Sequence, residues 1–199
     1  RIRPGKFMKK IPFDRVNWPT TIFLMSTFVV ALIGVPLYLW FYGLDWFQVI
    51  LFAVLFSASS MSITLGYHRL FSHLSFKARW PVKFGVLLFG STTFEGSALD
   101  WCADHRVHHK HVDHDEDPYS ITRGFFWAHM GWLLVTDHKK AEDFSNVPDL
   151  MADPWIRWQH QSYILIAVFM GFVVPFGLGY EVGHPWGFVL WAGIFRVVL

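Results

Sequence analysis

The sequence predicts an all-α integral membrane protein with two transmembrane helical hairpins, the fourth span incomplete, and a cytosolic helical metal-binding region between them. Three observations lead there. Apolar residues fill 53% of the 199 positions and charged residues only 16%, a balance that suits lipid better than an average soluble domain. Stretches free of Lys, Arg, Asp and Glu recur at bilayer length. Five of the eleven histidines gather in two short clusters between those stretches.

The elements follow in chain order. Residues 1–19 form a basic arm carrying Arg1, Arg3, Lys6, Lys9, Lys10 and Arg15. Segments 20–41 and 46–67 are uncharged, and each is close to the roughly 20 residues that cross a hydrocarbon core. Only the turn Tyr42-Gly43-Leu44-Asp45 separates them, so 20–67 is expected as an antiparallel hairpin. Region 68–160 holds nearly all the other Lys and Arg, and it includes two hydrophobic stretches, around 84–94 and 125–136. Both are too short to span and are flanked by charge, which predicts interfacial or re-entrant helices. A third uncharged run occupies 161–180, and a fourth opens at Trp186, so 161–199 is expected as a second hairpin. The fourth run, 186–199, falls short of the roughly 20 residues of a span, so the natural protein is expected to continue past Leu199.

Because basic residues mark the cytoplasmic side and both hairpin turns lack them, the arm and region 68–160 are placed together in the cytosol. Aromatic residues reach 19%, enough for interfacial belts and an apolar binding tunnel. A net charge of +2 without a recognition motif argues against nucleic acid. The single cysteine, Cys102, excludes an internal disulfide and a cysteine-based zinc cluster, leaving His and carboxylate as metal ligands.

The two clusters are His68 and His73 in HRLFSH, and His105, His108 and His109 in DHRVHH. At 3.6 residues per turn, positions 105, 108 and 109 share one stripe and their imidazoles converge. Positions 68 and 73 diverge by about 140° on an ideal helix, which predicts that they bracket a pair of metals instead of chelating one ion. Imidazole alone does not choose among iron, zinc, copper and nickel. Five ligands are too few for two metals, so Glu95, Asp100 or Asp104 completes the shells, or further ligands lie beyond Leu199.

At these residues the sequence resembles the membrane acyl-CoA and acyl-lipid desaturases of the delta-9 type. The likeness runs from about Thr64 to Val135 and includes GYHRLFSH, WCADHRVHHKH, DEDPYS and RGFFWAHMGWLLV. It implies two iron ions held by His68, His73, His105, His108 and His109, with molecular oxygen as co-substrate. It also implies an external electron donor (cytochrome-b-type, ferredoxin or flavoprotein reductase) and removal of two hydrogens from adjacent methylenes of a saturated acyl chain. In such proteins the remaining ligands come from a histidine at the inner end of the fourth span and a later HNxHH box, and neither is present here. The fragment alone is therefore expected to be inactive. His111, His114, His129, His138, His160 and His184 are read as solvated or supporting residues.

Three further residues are assigned to the substrate, a fatty acyl thioester or acyl lipid: Trp101 lining the tunnel, Asp104 at the polar head or behind an imidazole, and Arg106 at the carrier phosphates. Ala103 stands where acyl-CoA members carry a basic residue, which leaves the carrier open. The acidic turn Asp113, Asp115, Glu116 and Asp117 reads as a solvated loop or a docking surface for the donor.

Overall fold

The computed structural model describes residues 15–135 and 143–199. Residues 1–14 of the basic arm, and His138, lie outside the described residues. Among the described residues the structure is helical, with one isolated antiparallel bridge between Val16 and Val135.

Among the described residues, three helices are long and apolar enough to cross a membrane: α1 (Trp18–Tyr42), α2 (Trp46–Ser72) and α8 (Tyr163–Glu181). A shorter apolar helix, α9 (Pro185–Val198), follows. Asn17 starts α1 by accepting from the Thr20 amide at 3.3 Å, and Gly43, at φ 74°, ends it. Asp45 then caps α2 through the Phe47 amide at 2.9 Å. The left-handed residue needed between two caps so close together is supplied by glycine without steric cost. Gln48 of α2 donates to the Tyr38 hydroxyl of α1 at 2.7 Å, tying the two helices near this turn.

Between the long helices lie α3 (Trp80–Ser91), α4 (Ala98–Lys110), α5 (Phe125–His129), α6 (Pro148–Ala152) and α7 (Pro154–Gln161). The hydrophobic stretches around 84–94 and 125–136 fall largely on α3 and on α5 with its following turn. At 12 and 5 residues, neither helix reaches across a bilayer.

The packed core sits beneath the second half of α2, where α3, α4 and α7 bury Tyr67, Leu87, Leu99, Cys102 and Ile156. Glycine permits the close approach of α2 and α3. A Cβ on Gly90 would lie 2.6 Å from the Tyr67 ring, and one on Gly66 would collide with Val86. Gln159 of α7 locks this core with three bonds: Nε2 donates to the Tyr67 hydroxyl at 3.0 Å and to Ser91 Oγ at 2.8 Å, while Oε1 accepts from the Ala98 amide at 3.0 Å. A fully buried amide with its hydrogen bonds made fixes relative helix positions that apolar packing alone would leave free to slide.

Candidate metal centre

The second half of α2 is not an ordinary α-helix. From Ser62 to Ser72 its backbone is a π-helix, and the His73 amide closes the pattern on the His68 carbonyl at 3.0 Å. Each amide in such a turn bonds the fifth residue back, so residues five apart stack on one face. The divergence expected for His68 and His73 is thereby corrected: their rings lie 4.7 Å apart, centroid to centroid. The wheel argument failed because it assumed 3.6 residues per turn.

The opposing wall is α4. Ser97 and Asp100 form a reciprocal capping box, with Ser97 Oγ accepting from the Asp100 amide at 3.2 Å and Asp100 Oδ2 accepting from the Ser97 amide at 3.2 Å. This sets where the helix begins, and hence which side chains face α2. His105 and His109, one turn apart, point at the π-turn. Their rings lie 4.5 Å from each other, His105 lies 4.7 Å from His68, and His109 lies 4.6 Å from His73. Nε2 of His73 approaches Nε2 of His105 to 3.2 Å. One nitrogen from each of His68, His73, His105 and His109 falls within 4.8 Å of the other three, a spacing that one metal ion could bridge.

Burial, reinforced by the imidazoles of His109, His68, His73 and His108, lowers the pKa of His105 to about 3. His73 is also lowered, by partial desolvation and by His109 and His68. Both rings are therefore neutral near pH 7, the form that offers a lone pair to a metal.

His108 stands apart from the group of four. Its Nδ1 bonds Asp117 Oδ1 at 2.9 Å, and its ring stacks on Tyr119 at 4.4 Å. Asp117 is fully buried and also accepts from the amides of Asp113 at 3.0 Å and Tyr119 at 3.2 Å. Burial alone would raise its pKa, but the His108 and amide bonds outweigh that, and the carboxyl stays below its ordinary value. An ionised carboxylate on Nδ1 orients the imidazole and leaves Nε2 as the free donor atom, the arrangement common behind metal-bound histidines. The sequence placed Asp117 in an acidic turn; its bond to His108, nine positions back, was not anticipated.

Glu95, Asp100 and Asp104 do not join the four histidines. Glu95 Oε2 accepts from Trp101 Nε1 at 3.1 Å, and Asp100 serves the capping box. Trp101 stacks on His105 at 4.6 Å. Together with Asp104, Tyr119, Trp132 and Leu133, these residues line a cavity of about 390 Å³ into which His105 also faces. Arg106 turns away from it. Its guanidinium takes both Asp149 oxygens, at 2.7 and 2.8 Å, and the carbonyls of Asn146 and Phe71 at 3.1 and 2.8 Å, fastening α4 to α2 and α6. His160 bonds Ser97 Oγ at 2.7 Å behind the capping box, and His129 stacks on Phe125.

Apolar helices of bilayer length, with imidazoles from α2 and the shorter α4 converging beside an aromatic cavity, mark a helical protein of membrane type with a histidine cluster that could hold a metal ion. Residues 44–199 match the family model for fatty acid desaturases, and the chain belongs to that family. It is 36% identical over 193 residues to acyl-CoA desaturase 1 of Saccharomyces cerevisiae, an alignment covering 94% of this chain and 38% of the yeast protein. It is 34% identical to the Delta(9)-fatty-acid desaturase fat-6 of Caenorhabditis elegans, covering 84% of this chain and 50% of that one. With stearoyl-CoA desaturase 5 of Bos taurus it shares 38% identity over 70% of this chain and 42% of the bovine protein. The chain thus spans half or less of the length of these relatives.

Proposed function

We propose that this chain is the part of an oxygen-dependent di-iron acyl desaturase that binds metal and bends the substrate, introducing a cis double bond, at the delta-9 position, into a saturated fatty acyl thioester. The observation that carries the reading is the convergence of His68, His73, His105 and His109 beside an aromatic cavity. The donor set fits iron: neutral imidazoles suit it, and two of the four are held unprotonated. His68, His73, His105 and His109, with His108 backed by Asp117, would be five of the ligands for the two irons. When bound, the irons supply the oxygen-activating chemistry that removes hydrogen from an unactivated methylene, which no side chain can do.

The residues of this chain do the rest. Trp101, Trp132 and Leu133 exclude water and grip apolar methylenes, and the shape they impose decides which carbon lies next to His105. Asp104 faces the same cavity and is assigned to the polar end of the substrate. Arg106 acts on the substrate by holding α4 in place. Electrons come from an external cytochrome-b-type, ferredoxin or flavoprotein donor, with the histidine groups and N-terminal arm on the cytosolic face. The names of the relatives favour an acyl-CoA carrier over an acyl lipid.

The test is expression of the full-length protein in a host fed a saturated acyl chain. An alkene that disappears when His105 and His109 are both replaced by Ala supports the reading, as does iron co-purifying with the wild type. An alcohol retaining oxygen from the gas, or no oxidised product from an iron-loaded protein supplied with a donor, refutes it.

A further inference from the structure

A second, smaller cavity of about 250 Å³ lies on the other side of Glu95, between α2 and α9. Its lining mixes apolar side chains with the polar groups of Ser59, Ser60, Thr64, Thr93, Glu95 and Arg196. Arg196 is 96% buried by its 4% exposure, and Nη1 donates to Ser59 Oγ at 3.3 Å and Thr92 Oγ1 at 3.1 Å. Its Nη2 has no hydrogen-bond partner among the described residues. Among the described residues no carboxylate bonds this guanidinium, and a charged group beside membrane-spanning helices with an unpaired N–H is one that water can satisfy. The volume accommodates several waters, each with polar partners on the wall.

Glu95 borders both cavities. Its side chain remains accessible because it faces these two spaces, while the protein packed around it desolvates the carboxyl and raises its pKa above the ordinary carboxylate value. Among the described residues, the titratable and charged groups around it are Tyr67 from α2, Tyr163 from α8, Asp100, Asp104 and His105 from α4, Tyr119 from the loop after α4, and Arg196 from α9.

We propose that the Arg196 cavity holds water and is the proton entry to the centre, with Glu95 passing protons from it into the cavity beside His105. This inference rests on the desaturase reading, in which protons are a stoichiometric requirement. Two substrate C–H bonds and the O–O bond break, a C=C bond and four O–H bonds form, and two waters leave. Two of the four hydrogens come from the substrate; the other two arrive as protons, matched by two electrons from the external donor. Arg196 orients the water, and Glu95 is, among the described residues, the one side chain that borders both the water and the reaction cavity.

The experiment compares wild type, Glu95→Gln and Glu95→Asp in the full-length, iron-loaded protein reconstituted in lipid vesicles with its electron donor. Gln retains an oxygen that accepts from Trp101 Nε1 and so preserves the wall while removing the titratable carboxyl proton. Positioned proton transfer typically contributes 10²- to 10⁴-fold, so turnover is expected to fall by about tenfold or more in Glu95→Gln. Iron content and melting temperature should stay the same, and Asp should recover part of the rate. An independent readout uses the metal-free protein: infrared spectra in H₂O and D₂O, recorded as pH is lowered, should show a protonated-carboxyl band that grows in, exchanges readily and is absent in Glu95→Gln. Equal turnover and equal electrons consumed per double bond in wild type and Glu95→Gln would overturn the proposal, as would a carboxyl band that does not exchange. A wild type that makes no alkene instead fails the desaturase reading itself, so the two failures are distinguishable.

Discussion

Replacing Asp117 with Asn tests whether the buried carboxylate behind His108 is part of the metal site or only of the loop. The carboxylate accepts three hydrogen bonds, from His108 Nδ1 at 2.9 Å and from the amides of Asp113 and Tyr119 at 3.0 and 3.2 Å. Asn is nearly the same size but has one accepting oxygen, so its NH₂ must face either a backbone amide or the imidazole. Facing the imidazole, it forces Nδ1 to accept and moves the ring proton to Nε2, the atom meant for the metal. Loss of such a supporting carboxylate typically costs 10- to 100-fold in metal affinity, which at about 1.4 kcal/mol per factor of ten is roughly 1.4–2.8 kcal/mol. The assay is a chelator competition titration of full-length Asp117→Asn against wild type, with melting temperatures of both metal-free and metal-loaded forms. The exposed neighbour Asp115 provides the control as Asp115→Asn. Weaker metal binding in Asp117→Asn alone, with a smaller gap between the two melting temperatures, is expected. An affinity equal to that of Asp115→Asn, or equal destabilisation with and without metal, would refute the assignment.

Other expectations concern stability and the pH response. The His105 pKa is lowered from 6.5 to about 3, so the unfolded chain binds the extra proton throughout that interval and the folded one does not. The metal-free protein should therefore lose stability as pH falls from about 6.5 toward 3, and His105→Gln should flatten the slope in denaturant titrations across that range. Arg106→Lys removes the two-pronged contact with Asp149 and should lower stability by about 1–3 kcal/mol, read by denaturant unfolding of the full-length protein. The Asp149 carboxyl is held low chiefly by its bonds to Arg106, so this contribution is present above the unfolded carboxylate pKa and fades as pH drops through the folded value. Gly90→Ala would drive a Cβ to 2.6 Å from the buried Tyr67 ring; a loss of about 1–3 kcal/mol is expected, and an unchanged melting temperature would show that α2 and α3 can separate freely.

How much of this was legible beforehand varied with the range of the interaction. The long apolar helices were plain because lipid imposes a length and a composition on every span, and α1, α2 and α8 fall close to the expected segments. The imidazole clusters were legible as candidates because two histidine groups stood at the ends of apolar segments. The mutual placement of His68 and His73 was not, since a π-turn and an α-turn can be written with the same residues, and packing of α3 and α4 against α2 accompanies the wider turn here. Arg106 read as a solvated or phosphate-binding cation; the structure ties it to Asp149, 43 positions on. Glu95 could be named as an acid near the site, but nothing in its local sequence reveals that it separates two cavities.

By itself, the sequence determined that the protein is helical and apolar enough to enter a bilayer, and that imidazoles in two separated stretches are the candidate metal ligands. Those properties are local or compositional and survive any arrangement of the helices. Only the tertiary structure decided that four of the five box histidines face one point while His108 turns to Asp117, and that Trp101 forms a wall beside His105. Such choices depend on which helix faces which neighbour across tens of residues, where the free energy of burial and hydrogen bonding is shared among elements and no single segment carries it.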